Sequence, residues 1–326
     1  MDYTDKEKGQ GSDFLHIVYG DCTLGVSGQG FHYIFSYQLG GLESLVIDGR
    51  EWLYRIPKPT FWRATTDNDR GNKFPLRSGM WMSADMFIEC TGIDIFVDDK
   101  KTELPIAPYN NIYTGNEIAQ KIKVIYTYNT ITVPSTKVEV AYEVTHEGDI
   151  KISVYYHGNA DLPQLPVFGM RFVMPTKAIG YRYEGLSGET YPDRMEGGVH
   201  GIYEIDGLPV TKYLVPQDCN VHMKTKWLEV YRNTTLDNSY QVKDKFGLKF
   251  TKIDKGFTFA CIPYTAQELA NATHQEELPV ARRTVVSILG AVRGVGGINS
   301  WGADVEPIYH IDAGKDITYS FKISRI

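Results

Sequence analysis

At 326 residues, with a formal net charge of -6 and no dense Lys/Arg run, the chain can bury a large core, in one big β domain or two smaller ones. That charge argues against nucleic acid or an anionic membrane as partner, and no stretch approaches the ~18 apolar residues of a membrane span. Hydrophobic content of 42% with 23% charged residues is ordinary for a globular protein, while 22 tyrosines against 8 methionines favour sheet and surfaces that stack on flat ligands such as sugars.

Residues 1–12 are charged and glycine-containing, without an apolar segment, and read as a flexible N-terminus ahead of a single domain over 13–326. Strands follow at Phe14–Tyr19, Gly30–Gln38 and Leu42–Ile47. They are separated by turn chemistry at Ser27-Gly28-Gln29-Gly30, Gly40-Gly41 and Asp48-Gly49. Pro57 and Pro59 precede Phe61-Trp62-Arg63-Ala64-Thr65-Thr66-Asp67-Asn68-Asp69-Arg70-Gly71. Here Asp67 and Asp69 are expected to accept bonds from Arg63, Arg70 or backbone N–H groups. The stretch reads either as a polar loop closed by a salt bridge or as an ordered loop at a binding surface.

Over Ser78–Phe87, the spacing of Met80, Trp81, Met82, Met86 and Phe87 suits a short helix whose apolar side chains pack into the core. From Tyr126 to Tyr156 apolar and polar residues alternate, as in half-buried antiparallel strands, and Val167–Met174 is a further strand. Tyr181 to Asp218 is rich in glycine and tyrosine and reads as a long binding loop. Strands resume at Lys226–Tyr231, Phe246–Ile253 and Phe257–Cys261. Thr265-Ala266-Gln267-Glu268 is a capping-box pattern opening one helix to about Leu278. Thr284–Ala291 and Ile317–Ile323 complete an all-β chain: a large antiparallel β-sandwich with very few helices.

No self-contained active site is visible. Cys22, Cys90, Cys219 and Cys261 are far apart and read as free thiols of a cytoplasmic protein, and the eight histidines show no metal-ligand spacing. A glycosidase needs two carboxylates facing across the scissile bond, and nothing singles out such a pair. Glu184 and Glu189 lie near Arg182 and Arg194, which can neutralise them, and His200 is an isolated acid or base candidate. Trp301 stands apart: it lies behind Gly294, Gly296 and Gly297 and ahead of Gly302, with Asp304 close by. Such an indole either stacks on a sugar face or caps the sheet as a buried side chain.

Phe61-Trp62-Arg63 with Asp67-Asn68-Asp69, Tyr191-Pro192-Asp193-Arg194 and Gly296-Gly297-Ile298-Asn299-Ser300-Trp301 fall in the order and approximate spacing of one known module. Over nearly its whole length the chain resembles the C-terminal β-sandwich domain of the LacZ-type β-galactosidases of glycoside hydrolase family 2. It is most similar to the separately encoded small (LacM-like) subunits of heterodimeric β-galactosidases. The resemblance implies a galactose mutarotase-like supersandwich that completes a site for terminal β-galactosides such as lactose. A large partner subunit would supply the catalytic glutamates and the Mg and Na ions, leaving no catalytic residue and no metal in this chain. It puts Trp301, with Asn299 and Ser300, in the sugar site, and Asp67, Asn68, Asp69 and Gly71 in a loop shaping it. Ile298 and Asn299 stand where the best-known members carry two acidic residues. The same architecture also suits a stand-alone aldose epimerase, and a non-catalytic carbohydrate-binding module is a third reading.

Overall fold

Alternating side chains build most of the molecule. The computed structural model describes residues 13–104, 116–241, 244–299 and 301–326, so the expected flexible N-terminus and Ser300 lie outside the described residues. In chain order the first strands are β1 (Leu15–Tyr19), β2 (Thr23–Gly28), β3 (Phe31–Ser36), β4 (Gly41–Ile47), β5 (Arg50–Glu51) and β6 (Arg55–Thr60). After a helical stretch come β7 (Glu89–Val97), β8 (Lys100–Thr102), β9 (Ile118–Ala119), β10 (Lys121–Asn129), β11 (Lys137–Thr145) and β12 (Ile150–Tyr156). Next are β13 (Val167–Met174), β14 (Gly180–Leu186), β15 (His200–Asp206), β16 (Val221–Thr225) and β17 (Trp227–Arg232). The last are β18 (Phe246–Lys252), β19 (Phe257–Ile262), β20 (Thr284–Val292) and β21 (Ile317–Arg325).

These form three antiparallel sheets. One has six strands in the order β5-β4-β3-β2-β1-β9, one has ten (β15-β14-β17-β18-β21-β12-β11-β10-β7-β8), and one has five (β16-β19-β20-β13-β6). The strict alternation of β10, β11 and β12 sends Val138, Val140, Tyr142 and Val144 inward from β11 and leaves Lys137 in solvent. The ten-stranded sheet meets both others. Phe172 of β13 edges onto Phe250 and Phe321, with ring centroids 5.5 and 6.1 Å apart. On the other side Tyr142 meets Phe35 of β3, and Tyr33 donates to Gly148 O at 2.5 Å. One continuous apolar cluster takes residues from all three sheets. β13 is buried along its entire length, and its one charged residue, Arg171, is paired with Asp85 at 2.8 Å.

Several expectations need correction. Ser78–Phe87 is not a helix: α1 (Asp67–Gly71) and α2 (Phe74–Ser78) come earlier, and a 3-10 turn at Gly79–Trp81 ends where Met82 turns extended and Ser83 takes φ 63°. Only Trp81 of the expected core group is buried; Met80, Met82, Met86 and Phe87 face solvent. The long binding loop of Tyr181–Asp218 contains instead the β14–β15 antiparallel pair. The late helix α3 (Ala266–Asn271) is shorter than expected, but its capping box is formed: Thr265 Oγ1 accepts from Glu268 N at 3.2 Å and Glu268 Oε2 from Thr265 N at 2.7 Å. The four cysteines are free thiols, with Cys219 and Cys261 buried.

Candidate functional site

β6 runs directly into Phe61 and Trp62, whose buried rings fix where the following turn leaves the sheet; Phe61 stacks on Trp81 at 5.4 Å. Thr66 then caps α1, accepting from Asp69 N at 3.1 Å while Asp69 Oδ2 accepts from Thr66 N at 3.0 Å. The reciprocal bonds turn Asp69 inward, where it is 1% exposed. Arg63 Nη2 meets it at 3.0 Å and Arg293 Nη1 at 3.4 Å. Burial alone would lower the Arg63 pKa, but the charges of Asp69, Asp218 and Asp193 outweigh it and leave it raised. Asp67 stays outside, paired with Arg70 at 2.5 Å. The sequence expectation for these two carboxylates is met.

Arg293 follows β20 and opens the glycine-rich excursion; Asp304 closes it. Arg293 Nη2 bonds Asp304 Oδ1, so the two ends of the excursion are tied to each other. Asn72 Nδ2 donates to the same carboxylate at 3.1 Å, and Arg77 Nη2 approaches it at 3.1 Å. Burial pulls the Asp304 pKa up, but the Arg293 hydrogen bond and charge hold it below the usual carboxylate range. One face and the edges of the Arg293 guanidinium are therefore occupied: Phe74 lies under it at 4.1 Å, and carboxylates lie at its edges.

The run Tyr191–Arg194 clamps the excursion from the other side. Asp193 accepts from Val295 N at 2.9 Å and Gly296 N at 2.8 Å, while Arg194 bonds Gly296 O. Asn68 Nδ2 donates to Val295 O at 3.0 Å. All three motifs singled out in the sequence thus meet at one place, though they lie far apart along the chain. Two glycines are required by this crowding. A Cβ on Gly297 (φ 83°) would lie 2.7 Å from both Arg194 Nη2 and Asn68 Nδ2, and one on Gly302 (φ 76°) would lie 2.8 Å from Gly71 O.

Beyond the clamp the tip faces solvent. Asn299 Oδ1 accepts from Trp301 N at 2.9 Å and Ala303 N at 3.3 Å, an Asx turn that sets the backbone of the tip. Trp301 is 92% exposed and Ile298 59%. The indole does not cap the sheet. Asn299 is occupied with the turn, so what it leaves for a ligand is its amide nitrogen.

The remaining candidates lie elsewhere. Glu184, on β14, is held by Lys226 at 2.5 Å and Trp227 Nε1 at 2.9 Å, and the Lys226 hydrogen bond lowers its pKa. A carboxylate so held is a poor proton donor. Glu189 accepts from Asn220 N at 2.5 Å, and burial raises its pKa. His200 begins β15 on the exposed side. His222, which sequence reading did not single out, is buried beside Tyr181 and Asn220, and burial lowers its pKa to about 4. Its ring stacks on Phe259 at 4.8 Å, a packing role. Among the described residues no group of three or more His, Cys, Asp or Glu is arranged to hold a metal ion. No helix among them is long and apolar enough to cross a membrane. Arg293 was the functional residue missed; its signal was an arginine at the foot of a glycine loop that needs a buried anchor. Chemically, this site offers an aromatic platform on a rigid base and, among the described residues, no free pair of carboxylates.

Comparison with known proteins places the chain in a family. The family described as "Beta galactosidase small chain" matches residues 27–323. The "Beta-galactosidase small subunit" of Latilactobacillus sakei is 61% identical over 95% of this chain and 98% of its own length. A "Beta-galactosidase" of Streptococcus thermophilus is 30% identical over 95% of this chain but only 27% of its own length. Among solved structures, a putative aldose 1-epimerase of Escherichia coli K12 covers 96% of this chain and 99% of its own at TM-score 0.42 and 9% identity, too remote to bear on function. From residue 27 to 323, and at 61% identity over almost its full length, the chain belongs to the β-galactosidase small chain family.

Proposed function

We propose that this chain is the small subunit of a heteromeric, cytoplasmic β-galactosidase that hydrolyses terminal β-galactosides such as lactose. The observation that carries the reading is the loop cluster: three distant segments fasten a solvent-facing Trp301, while the nearby acids Asp69 and Asp304 are held by arginines. An enzyme acting alone needs free acid and base groups beside its platform. A subunit that completes another's site needs only the platform.

In this reading the large subunit contributes the proton donor and the nucleophile, together with Mg and Na ions. Trp301 gives the sugar or aglycone an apolar face, and Asn299 and Ser300 adjoin it. Asp67, Asn68, Asp69 and Gly71 form the loop that shapes the site, and Asn68 and Asp69 fasten the Trp301 excursion to it. The partnership follows the name of the Latilactobacillus sakei relative and the length of the Streptococcus thermophilus enzyme, in which this chain's counterpart is 27% of one polypeptide.

The test is an assay on a chromogenic β-galactoside, with the purified chain alone and then mixed with the Latilactobacillus sakei large subunit. Silence alone and activity on mixing are expected. Trp301→Ala in the mixture should lower kcat/KM up to about tenfold, the loss of one stacking contact, without preventing assembly. Activity from the isolated chain would overturn the reading.

A further inference from the structure

A second surface lies away from the Trp301 cluster. A groove of ≈ 810 Å³ opens between β6, the 83–88 segment and the start of α3. A smaller one of ≈ 350 Å³ continues from it past residues 279–283. The two share Tyr54, Arg55, Thr265 and Glu268, so they form one trough.

Three observations say what the trough accepts. Its rim is apolar and open: Leu39, Tyr54, Met86 and Val280 are 55%, 48%, 58% and 73% exposed, with Phe87 beside Met86 at 62%. Large apolar groups gathered along one depression mark an interaction surface. Its unpaired charge is positive on a chain of net charge -6. Among the described residues Arg55, Lys58, Arg282 and Arg283 line it without an ion pair, against the carboxylates Glu43 and Glu268. Finally, it is preformed. Asp85 bonds Arg171 Nη1 at 2.8 Å and Gln267 Nε2 at 2.9 Å, pinning the 83–88 rim to both β13 and α3.

We propose that this trough receives an extended segment of the large β-galactosidase subunit carrying acidic and apolar side chains. The inference rests on the reading of the chain as a small subunit. The Streptococcus thermophilus relative supports this occupant beside the charge of the trough: its counterpart of the present chain is 27% of one polypeptide, so the remainder is tethered to the module. The 72–88 segment also links the two places, leaving the Trp301 cluster at Asn72 and reaching the trough at Asp85 and Met86. Cations and exposed apolar groups together favour a peptide over a neutral sugar, which offers neither carboxylates nor extended apolar side chains.

The experiment titrates chain against the Latilactobacillus sakei large subunit and follows recovered β-galactosidase activity. The double variant Arg55→Glu/Lys58→Glu and the single variant Met86→Asp should each shift the half-maximal concentration upward by about tenfold or more, because like charge or an unpaired carboxylate then meets the segment. At saturation the activity per pair should equal that of wild type, since none of these residues belongs to the Trp301 cluster. A photo-crosslinking amino acid at position 86 should give an adduct with the large subunit. Wild-type complementation with unmoved midpoints, or no adduct, would overturn the trough assignment alone. Wild-type chain that fails to complement at all would overturn the small-subunit reading, and this inference with it.

Discussion

Trp81 and Trp301 each sit outside the sheets with a glycine close by, yet one is 0% and the other 92% exposed. Trp81 has everything an indole needs within reach. Its Nε1 donates to Pro163 O at 2.9 Å, Phe61 stacks on it at 5.4 Å, and Tyr156 meets it edge-on at 6.3 Å. Around Trp301 the anchors among the described residues go to the backbone, through Asn299 and the clamped glycines. The first indole is part of the fold's stability; the second is held up for something else to cover. Side-chain identity and neighbouring glycines did not distinguish them. What did was whether buried partners converge on the ring or on the loop beneath it.

The comparison breaks first at the base of the Trp301 loop. Asp69→Ala should destabilise the chain by about 3–5 kcal/mol, because Arg63 and Arg293 are left buried without their shared carboxylate. Loss of its bond to Thr66 N removes about 1 kcal/mol more. Chemical denaturation measures both, and an effect below about 1 kcal/mol would show that the base does not hold the loop. Trp81→Ala should cost a similar ~3–5 kcal/mol by cavity formation and leave the complemented enzyme's KM unchanged once folded.

A pH effect is smaller. Asp218, beside this base, accepts from the Tyr191 hydroxyl at 2.8 Å, and burial lifts its pKa from 3.8 to about 6 despite the opposing charge of Arg63. The folded state therefore holds this proton more tightly than the unfolded one. The stability it contributes is fully present below about pH 4 and is lost as pH rises through about 6, by roughly 1.4 kcal/mol for each pH step of one between them. Asp218→Asn should flatten that part of the stability profile between pH 4 and 7, and an unchanged profile would count against a raised Asp218 pKa. Smallest of all, Trp301→Ala should change the isolated chain's stability by less than about 0.5 kcal/mol, as for a surface substitution. A larger loss would mean that the indole packs on the chain in solution.

Much of the fold was legible because alternation is a direct image of half-burial. Lys137–Thr145 and Ile150–Tyr156 needed nothing beyond their own residues. β14 and β15 were hidden because Gly180 and Gly185 look like turn residues but serve close approach. A Cβ on Gly180 would lie 2.5 Å from Ile205 O, and one on Gly185 3.0 Å from Thr225 Oγ1. β2 was hidden similarly, since Ser27 and Gly28 read as the start of a turn rather than the end of a strand. The Met80–Phe87 group failed for another reason: spacing says which residues share a face, not whether the chain covers that face itself. At the site, the three motifs and Trp301 were legible as types. That Asp69 faces two arginines was not, because Arg293 lies 224 residues away and only the folded sheet brings it there.

The bond between Arg293 and Asp304 has a consequence for how such a protein changes over generations. Because the loop is closed at its neck, residues 298–301, which lie between the two required glycines, form an exchangeable cassette. Their length and composition can drift while β20 beneath them feels only the closed neck, and lengthening such a loop costs little, about 0.6 kcal/mol per doubling. New specificities can be tried at the tip while the scaffold of buried apolar side chains beneath it stays as it is.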